Sequence, residues 1–180
     1  MGVFGRAVVL RFEREFRRRY GKVSLVVALL GAGGRGLRLR RRIKERLRRD
    51  GIVAVIPEDD FPSEIGFDVA ERCMLGRGDV ELVFINVESW GSATEFGGFY
   101  MDKRIAPKLR VLVNYAYHPL YGFSRSYLSN AYLTFMAVYG HVYAYGGAGG
   151  CSFPTASKVI LKLARRYKEW KVIGKEIFIR

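Results

Sequence analysis

Apolar residues fall into two kinds of segment along the chain, continuous short runs and longer stretches with an apolar residue every three or four positions. The continuous runs are typical of strands buried on both faces of a parallel sheet, and the periodic stretches are typical of helices that bury one side. The predicted strands are 23–30, 52–56, 80–87, 109–115 and 141–145. The predicted helices are 37–47, 67–75, 91–100, 126–139 and 157–170.

Strands and helices therefore alternate through short loops. Parallel neighbours need helical crossovers, so this order predicts an α/β fold, a flavodoxin-like or Rossmann-like three-layer sandwich with a five-stranded parallel sheet. An amphipathic stretch at 5–20 predicts an added helix within residues 1–22, and 172–179 predicts an edge strand within the tail 171–180. We find no linker or repeat, and expect residues 1–180 to form a single domain.

In a parallel sheet of this kind, ligands bind beyond the carboxyl ends of the strands. The loop after the first strand is rich in glycine, which lets backbone amides approach an anion or a sugar. We therefore predict a site for an anion or a sugar formed by Gly31, Ala32, Gly33 and Gly34. Asp59, in the acidic segment after the second strand, is either a further ligand contact or a surface residue.

The segment 91–97 follows the third strand and combines small, hydroxyl and acidic residues. Gly91 and Ser92 lead into a helix and are further candidates for contact with a ligand. Glu95 has two interpretations. In the first turn of that helix the helix dipole would keep its carboxylate ionised, as a glycosyl-transfer nucleophile must be. Alternatively, Glu95 completes an N-terminal capping box with Ser92.

The chain resembles the nucleoside 2-deoxyribosyltransferase family and its wider relatives in the lysine-decarboxylase-like and DprA-like group. The resemblance lies in the residues at 30–33, 78–80 and 91–97 and spans roughly residues 25–145. It implies that Glu95 attacks the anomeric carbon and that Asp79 supports the site. It also implies that Asn130 reaches into the site of a neighbouring subunit in a homo-oligomer.

The distribution of charge raises the question of whether the protein contacts nucleic acid. The formal net charge is +14, and nine of the basic residues lie within 35–49. This basic helix is either a solvated surface balanced by acidic neighbours or a nonspecific contact for nucleic acid.

The remaining composition bears on cofactors, cellular location and source organism. Two distant cysteines and two histidines predict neither a disulfide framework nor a metal site, and no resident cofactor is expected. No apolar run is long enough to span a membrane, so we expect a cytoplasmic protein without membrane contact. Abundant charge and the absence of glutamine suggest a thermophilic source.

Three functional hypotheses remain at this stage. The first is a nucleoside or nucleotide N-glycosidic-bond transferase or hydrolase that uses a glutamate nucleophile. The second is a nucleotide-binding, sensor-like module of the same fold without chemistry. The third is a basic RNA-binding protein.

Overall fold

The computed structural model describes residues 3–62, 64, 66–148 and 151–177. The helices are α1 (Val3–Lys22), α2 (Arg35–Arg49), α3 (Pro57–Asp60), α4 (Phe67–Leu75), α5 (Trp90–Phe99), α6 (Tyr127–Tyr139) and α7 (Ala156–Ile177). The strands are β1 (Val26–Gly31), β2 (Val53–Val55), β3 (Val80–Val87), β4 (Leu109–Asn114), β5 (Val142–Tyr145), β6 (Gly147–Ala148) and β7 (Cys151–Ser152). Short 3₁₀ turns, Ala106–Lys108 and Tyr115–Tyr117, flank β4.

The first five strands form one parallel sheet in the order β2-β1-β3-β4-β5, and β6 pairs with β7 in a small antiparallel ribbon. This is the flavodoxin-like strand order, in which the chain reverses its direction of winding between β1 and β3. The predicted fold class is confirmed.

Alternate residues of the strands face two hydrophobic cores. Val27 and Leu29 point into the core beneath α2 and α7, whereas Ala28 and Leu30 point into the core beneath α4, α5 and α6. This alternation follows from the pleat of a strand, which sends successive side chains to opposite faces. The sheet is therefore buried on both sides, as the continuous apolar runs predict.

One of the two predictions for the ends of the chain is confirmed and the other is wrong. The added N-terminal helix is confirmed as α1, which packs on α7. The predicted edge strand at 172–179 is wrong, because α7 continues to Ile177; residues 178 and 179 lie outside the described residues. Val172 is buried and extends the helical stripe of Leu161, Ala164 and Lys168, so packing against the domain keeps this segment helical. None of the helices in the described part is long and apolar enough to cross a membrane.

Candidate functional site

The site lies at the carboxyl ends of β1 and β3, where Gly31 pairs in register with Asn86. From there the chain leaves β1 for α2 on one face of the sheet and leaves β3 for α5 on the other. Such a reversal opens a crevice at the sheet edge, which is where open α/β sheets bind ligands. The predicted glycine turn and the segment 91–97 both begin at this crevice.

Gly31 ends β1 in a conformation that few other residues adopt, with φ of 146°. A Cβ at this position would lie 3.0 Å from the carbonyl oxygen of Asn86. The glycine therefore allows the two strand ends to approach closely. Ala32 and Gly33 continue the turn, and Gly34 is the N-cap of α2, without a side-chain capping bond.

Arg40 organises the floor of the site from within α2. Its buried guanidinium donates hydrogen bonds to the carbonyl oxygens of Leu29, Gly31 and Ala32 at 3.2, 3.0 and 2.9 Å. It also donates to both carboxylate oxygens of Glu58 at 2.8 and 2.6 Å. One cation thus fixes the backbone of the glycine turn and holds an acidic residue from α3 beside it.

The remaining acidic residues of α3 face outward. Asp59 pairs with Arg41, with its Oδ1 2.5 Å from Nη2, and Asp60 pairs with Lys44 at 2.6 Å. The segment after β2 is therefore a helical turn clamped to α2. Glu58, rather than the predicted Asp59, points toward the glycine turn through its bond to Arg40.

Glu95 lies in the second turn of α5, because that helix begins at Trp90. Its N-cap is Ser89, whose hydroxyl accepts from the backbone N–H of Ser92, while the Ser92 hydroxyl accepts from the N–H of Ser89. Gly91 and Ser92 thus build the first turn, and Ser92 is buried. The alternative that Glu95 completes the capping box is wrong, since the two serines complete it.

Burial governs the ionisation of Glu95. Burial, followed by the nearby charges of Glu71 and Glu58, raises the pKa of this carboxyl to about 7 against the opposing effect of Arg40. The expectation of a carboxylate held ionised by the helix dipole in the first turn is therefore wrong. Burial and the acidic neighbours raise the pKa by more than the helix dipole lowers it, because the effect of the dipole falls off within the first turn.

Glu71, on α4, is the second carboxyl with this behaviour. Its side chain is buried, and burial followed by the charge of Glu58 raises its pKa to about 7, again opposed by Arg40. Glu95 and Glu71 therefore share one acidic environment and bind protons at similar pH. Coupled carboxyls of this kind lose their protons as a pair.

Three buried side-chain polar atoms have no hydrogen-bond partner in the described part of the chain, and all three belong to this site. They are Nε of Arg40, Oδ1 of Asn86 and Oε2 of Glu95. Buried polar atoms are nearly always bonded, so a cluster of unbonded ones marks a candidate ligand position. Arg40, Asn86 and Gly31 also line one small cavity beneath the glycine turn.

Two predicted site residues do not join this cluster. Asp79 immediately precedes β3, so the length of that strand, roughly 25 Å, separates it from the site edge. It is exposed and pairs with Arg77 at 3.2 Å. Asn130 is exposed on α6, in a groove that also contains Phe123, Arg125 and Leu133.

Sequence reasoning missed Arg40, Glu71 and Asn86, although each left a signal. Arg40 shares the helical phase of Ile43 and Leu47, which are buried core residues. Glu71 follows the buried Ala70 on the inner side of α4, and Asn86 interrupts an otherwise apolar strand end. A charged or amide side chain on a buried face is uncommon without a partner, and such positions deserve priority as candidates.

The three glutamates do not form a metal site in the described residues, where no group of three or more His, Cys, Asp and Glu side chains has suitable geometry. The acidic cluster is instead an arrangement of proton-binding groups around one arginine.

The fold and this crevice define the chain as an α/β protein of the flavodoxin-like type with an acidic site at the reversal point of its sheet. Residues 79–142 match the family described as STM3845 retron effector protein. The match covers β3, α5, β4 and α6, and thus includes Asn86, Glu95 and Asn130. A search of curated proteins finds no match.

Proposed function

We propose that this protein cleaves the N-glycosidic bond of a nucleoside or nucleotide, with Glu95 as the nucleophile. The observation that carries the proposal is the buried, unbonded Oε2 of Glu95, whose carboxyl feels the charges of Glu71, Glu58 and Arg40. A carboxyl oxygen that accepts from no donor in the described part of the chain is available to react with a ligand. The resemblance to nucleoside 2-deoxyribosyltransferases suggests the same role for this residue.

The reaction proceeds in two steps. Ionised Glu95 forms a bond to the anomeric carbon of the sugar while the bond to the base nitrogen breaks, and the electron pair of that bond leaves with the base. Water or a second base then attacks the same carbon and releases Glu95. The positive charge that develops on the sugar in each step favours the ionised form of Glu95 over the protonated form.

Glu71 supplies the proton that the departing base needs. Because Glu71 and Glu95 have similar raised pKa values of about 7, the pair holds about one proton at neutral pH. When Glu95 is ionised, the proton resides on Glu71 and passes to the base nitrogen. Glu71 recovers a proton from the attacking water or base in the second step.

The glycine turn and Asn86 orient the substrate. The amide of Asn86 has an unbonded oxygen that accepts a hydrogen bond from a sugar hydroxyl or a base N–H. Arg40 holds the turn in place through three carbonyl oxygens. Asn86 and Glu95 both lie in the segment that matches the retron effector family.

Asn130 acts from a second copy of the chain. It lies on the exposed side of α6 near Phe123 and Tyr127, which are 80% and 85% exposed. Large apolar groups with such exposure favour self-association. The resemblance implies that Asn130 contributes to the site of a neighbouring subunit.

Chromatographic release of free base tests the proposal. Purified protein is incubated with nucleosides, nucleoside monophosphates and NAD, and wild type is compared with Glu95→Gln. The matched control is Glu13→Gln, which removes a carboxylate from the exposed surface of α1. We expect base release from wild type and the control, and a loss of at least about a thousandfold in Glu95→Gln.

The alternative is a sensor that binds a nucleotide without chemistry. It predicts no release from any compound, together with saturable binding that survives in Glu95→Gln. That result would contradict the enzymatic proposal, and so would release that is unchanged by the Glu95 substitution.

A further inference from the structure

The basic residues of α2 divide into two sets with different surroundings. Arg40, Arg41 and Lys44 pair with the three acidic residues of α3. Arg42, Arg46 and Arg49 lie on the other side of the helix, and their side chains have no ion pair in the described part of the chain. The acidic residues of α3 therefore neutralise only one side of this helix, while Glu45 on the other side pairs with Arg48 at 3.4 Å.

The unpaired side of α2 faces α7 across an open groove. Arg46 lines the groove together with Lys158, Lys162 and Arg166 of α7, and it also lines the adjoining hollow that contains Arg42 and Arg49. The two hollows have volumes of about 540 and 420 Å³. Only Arg166 among these six cations pairs with an acidic residue in the described structure, Glu169 at 3.1 Å. Concentrated unpaired charge of this kind repels itself and attracts a polyanion.

We propose that the groove between α2 and α7 binds the phosphate backbone of a nucleic-acid strand. Arg42 and Arg49 are about 10 Å apart along the helix axis, and Lys158 and Arg166 are about 12 Å apart. In a duplex, each strand has one phosphate for roughly every 3.4 Å of helix axis, so such a wall spans three or four phosphates of one strand. Cations on both walls would hold the backbone without reading its bases.

A strand of phosphates suits the groove better than a lipid surface does. Membrane-binding helices combine basic residues with exposed Trp, Phe or Leu side chains that enter the bilayer. Of the apolar residues that line the groove, Leu161 and Ile43 are 6% and 1% exposed, and the half-buried Leu39 packs against the core. The groove therefore presents charge without an apolar anchor. This proposal is independent of the chemistry assigned to Glu95.

Fluorescence anisotropy with labelled oligonucleotides tests the proposal. Single-stranded RNA, single-stranded DNA and duplex DNA are titrated with the full chain at salt concentrations from about 50 to 200 mM. The groove variant is Arg46→Gln with Lys162→Gln. The matched control is Lys103→Gln with Arg125→Gln, which removes the same charge from exposed positions elsewhere. Thermal unfolding of both variants confirms that they are folded.

We expect the groove variant to lose about tenfold or more in affinity, and the slope of log K against log salt to fall by about 1.4 for two lost contacts on a single strand. The control should change affinity by less than about twofold. Equal losses in both variants would overturn the groove assignment, because general charge would then explain binding. Absence of binding to every oligonucleotide, or tighter binding to phosphatidylserine vesicles, would overturn the proposal of a nucleic-acid ligand.

Discussion

Glu71 and Glu95 combine burial with electrostatic repulsion from acidic neighbours, and this combination has a measurable consequence for folding. Each carboxyl has a pKa of about 7 in the folded chain against an ordinary value of 4.5. The folded state therefore binds their protons more tightly than the unfolded state does. Their contribution makes the free energy of unfolding decrease as pH rises from about 4.5 to about 7.

Glu71→Gln should remove part of this effect, because glutamine resembles the protonated acid at every pH. We expect the variant to gain stability relative to wild type above about pH 7 and to match wild type more closely below about pH 4.5. Denaturant unfolding at both pH values measures the difference. A variant that is equally destabilised at both pH values would contradict the assignment of a raised pKa to Glu71.

Gly31→Ala should destabilise the protein by about 1–3 kcal/mol, because the new Cβ meets the carbonyl oxygen of Asn86 and the φ of 146° is unfavourable for alanine. Gly33→Ala is the control in the same turn, where a Cβ meets nothing within 4 Å. Urea unfolding compares the two variants. Equal stability of both would show that the close approach at Gly31 is not required.

Single residues were predictable from sequence to a limited extent. Glu95 and the glycine turn stood out because small residues follow directly after apolar strands. The raised pKa of Glu95 was not predictable, since it depends on burial and on the charges of Glu71 and Glu58 from distant segments. Asp79 was assigned by resemblance alone, and its position before β3 separates it from the other site residues.

At the scale of elements, the junction between α2 and α7 depends on one buried lysine. Lys168 is 1% exposed and donates hydrogen bonds to the carbonyl oxygens of Asp50 and Gly51 at 3.0 and 2.8 Å. These carbonyls follow the C-terminus of α2, where positive charge is favourable. Its ammonium also lies 4.3 Å from the centre of the Tyr20 ring of α1. Lys168 thus connects three helices.

Lys168→Ala should reduce the free energy of unfolding by about 2 kcal/mol, since two buried carbonyl oxygens lose a charged donor. Lys158→Ala, an exposed change on the same helix, should stay within about 0.5 kcal/mol of wild type. Guanidinium unfolding of both variants provides the comparison. A loss no larger for Lys168→Ala than for Lys158→Ala would contradict the connecting role.

Elements were predicted well where a helical or strand pattern is unbroken. The predicted bounds 67–75 and 80–87 coincide with α4 and β3. The error at 172–179 arose because β-branched residues at a chain end fit a strand as well as a helix. Only the burial of Val172 against the rest of the domain distinguishes a helix from a strand here. Tertiary packing therefore overrides local propensity in this segment.

At the scale of the whole molecule, the parallel sheet follows from alternating strands and helices, but the strand order does not. That order brings the ends of β1 and β3 together and thereby assembles Arg40, Asn86 and Glu95 at one edge. The basic groove lies instead on the side of the sheet covered by α2 and α7. Glu71 and Glu95 lie on α4 and α5, which cover the other face, so the proposed substrate site and the proposed polyanion groove are separate.

This separation predicts that Arg46→Gln with Lys162→Gln leaves base release from free nucleosides within about twofold of wild type, because neither side chain touches the carboxyl cluster. The base-release assay, applied to this double variant and to wild type, measures the two rates. A parallel loss of release and of oligonucleotide binding would contradict two independent sites.

Covalent chemistry at Glu95 is detectable by peptide mass mapping of a reaction quenched during turnover. We expect the proteolytic fragment containing Glu95 to gain the mass of the transferred sugar, and Glu95→Gln to show neither this adduct nor base release. Sugar attached to a different residue, or base release that persists in Glu95→Gln, would rule out Glu95 as the nucleophile.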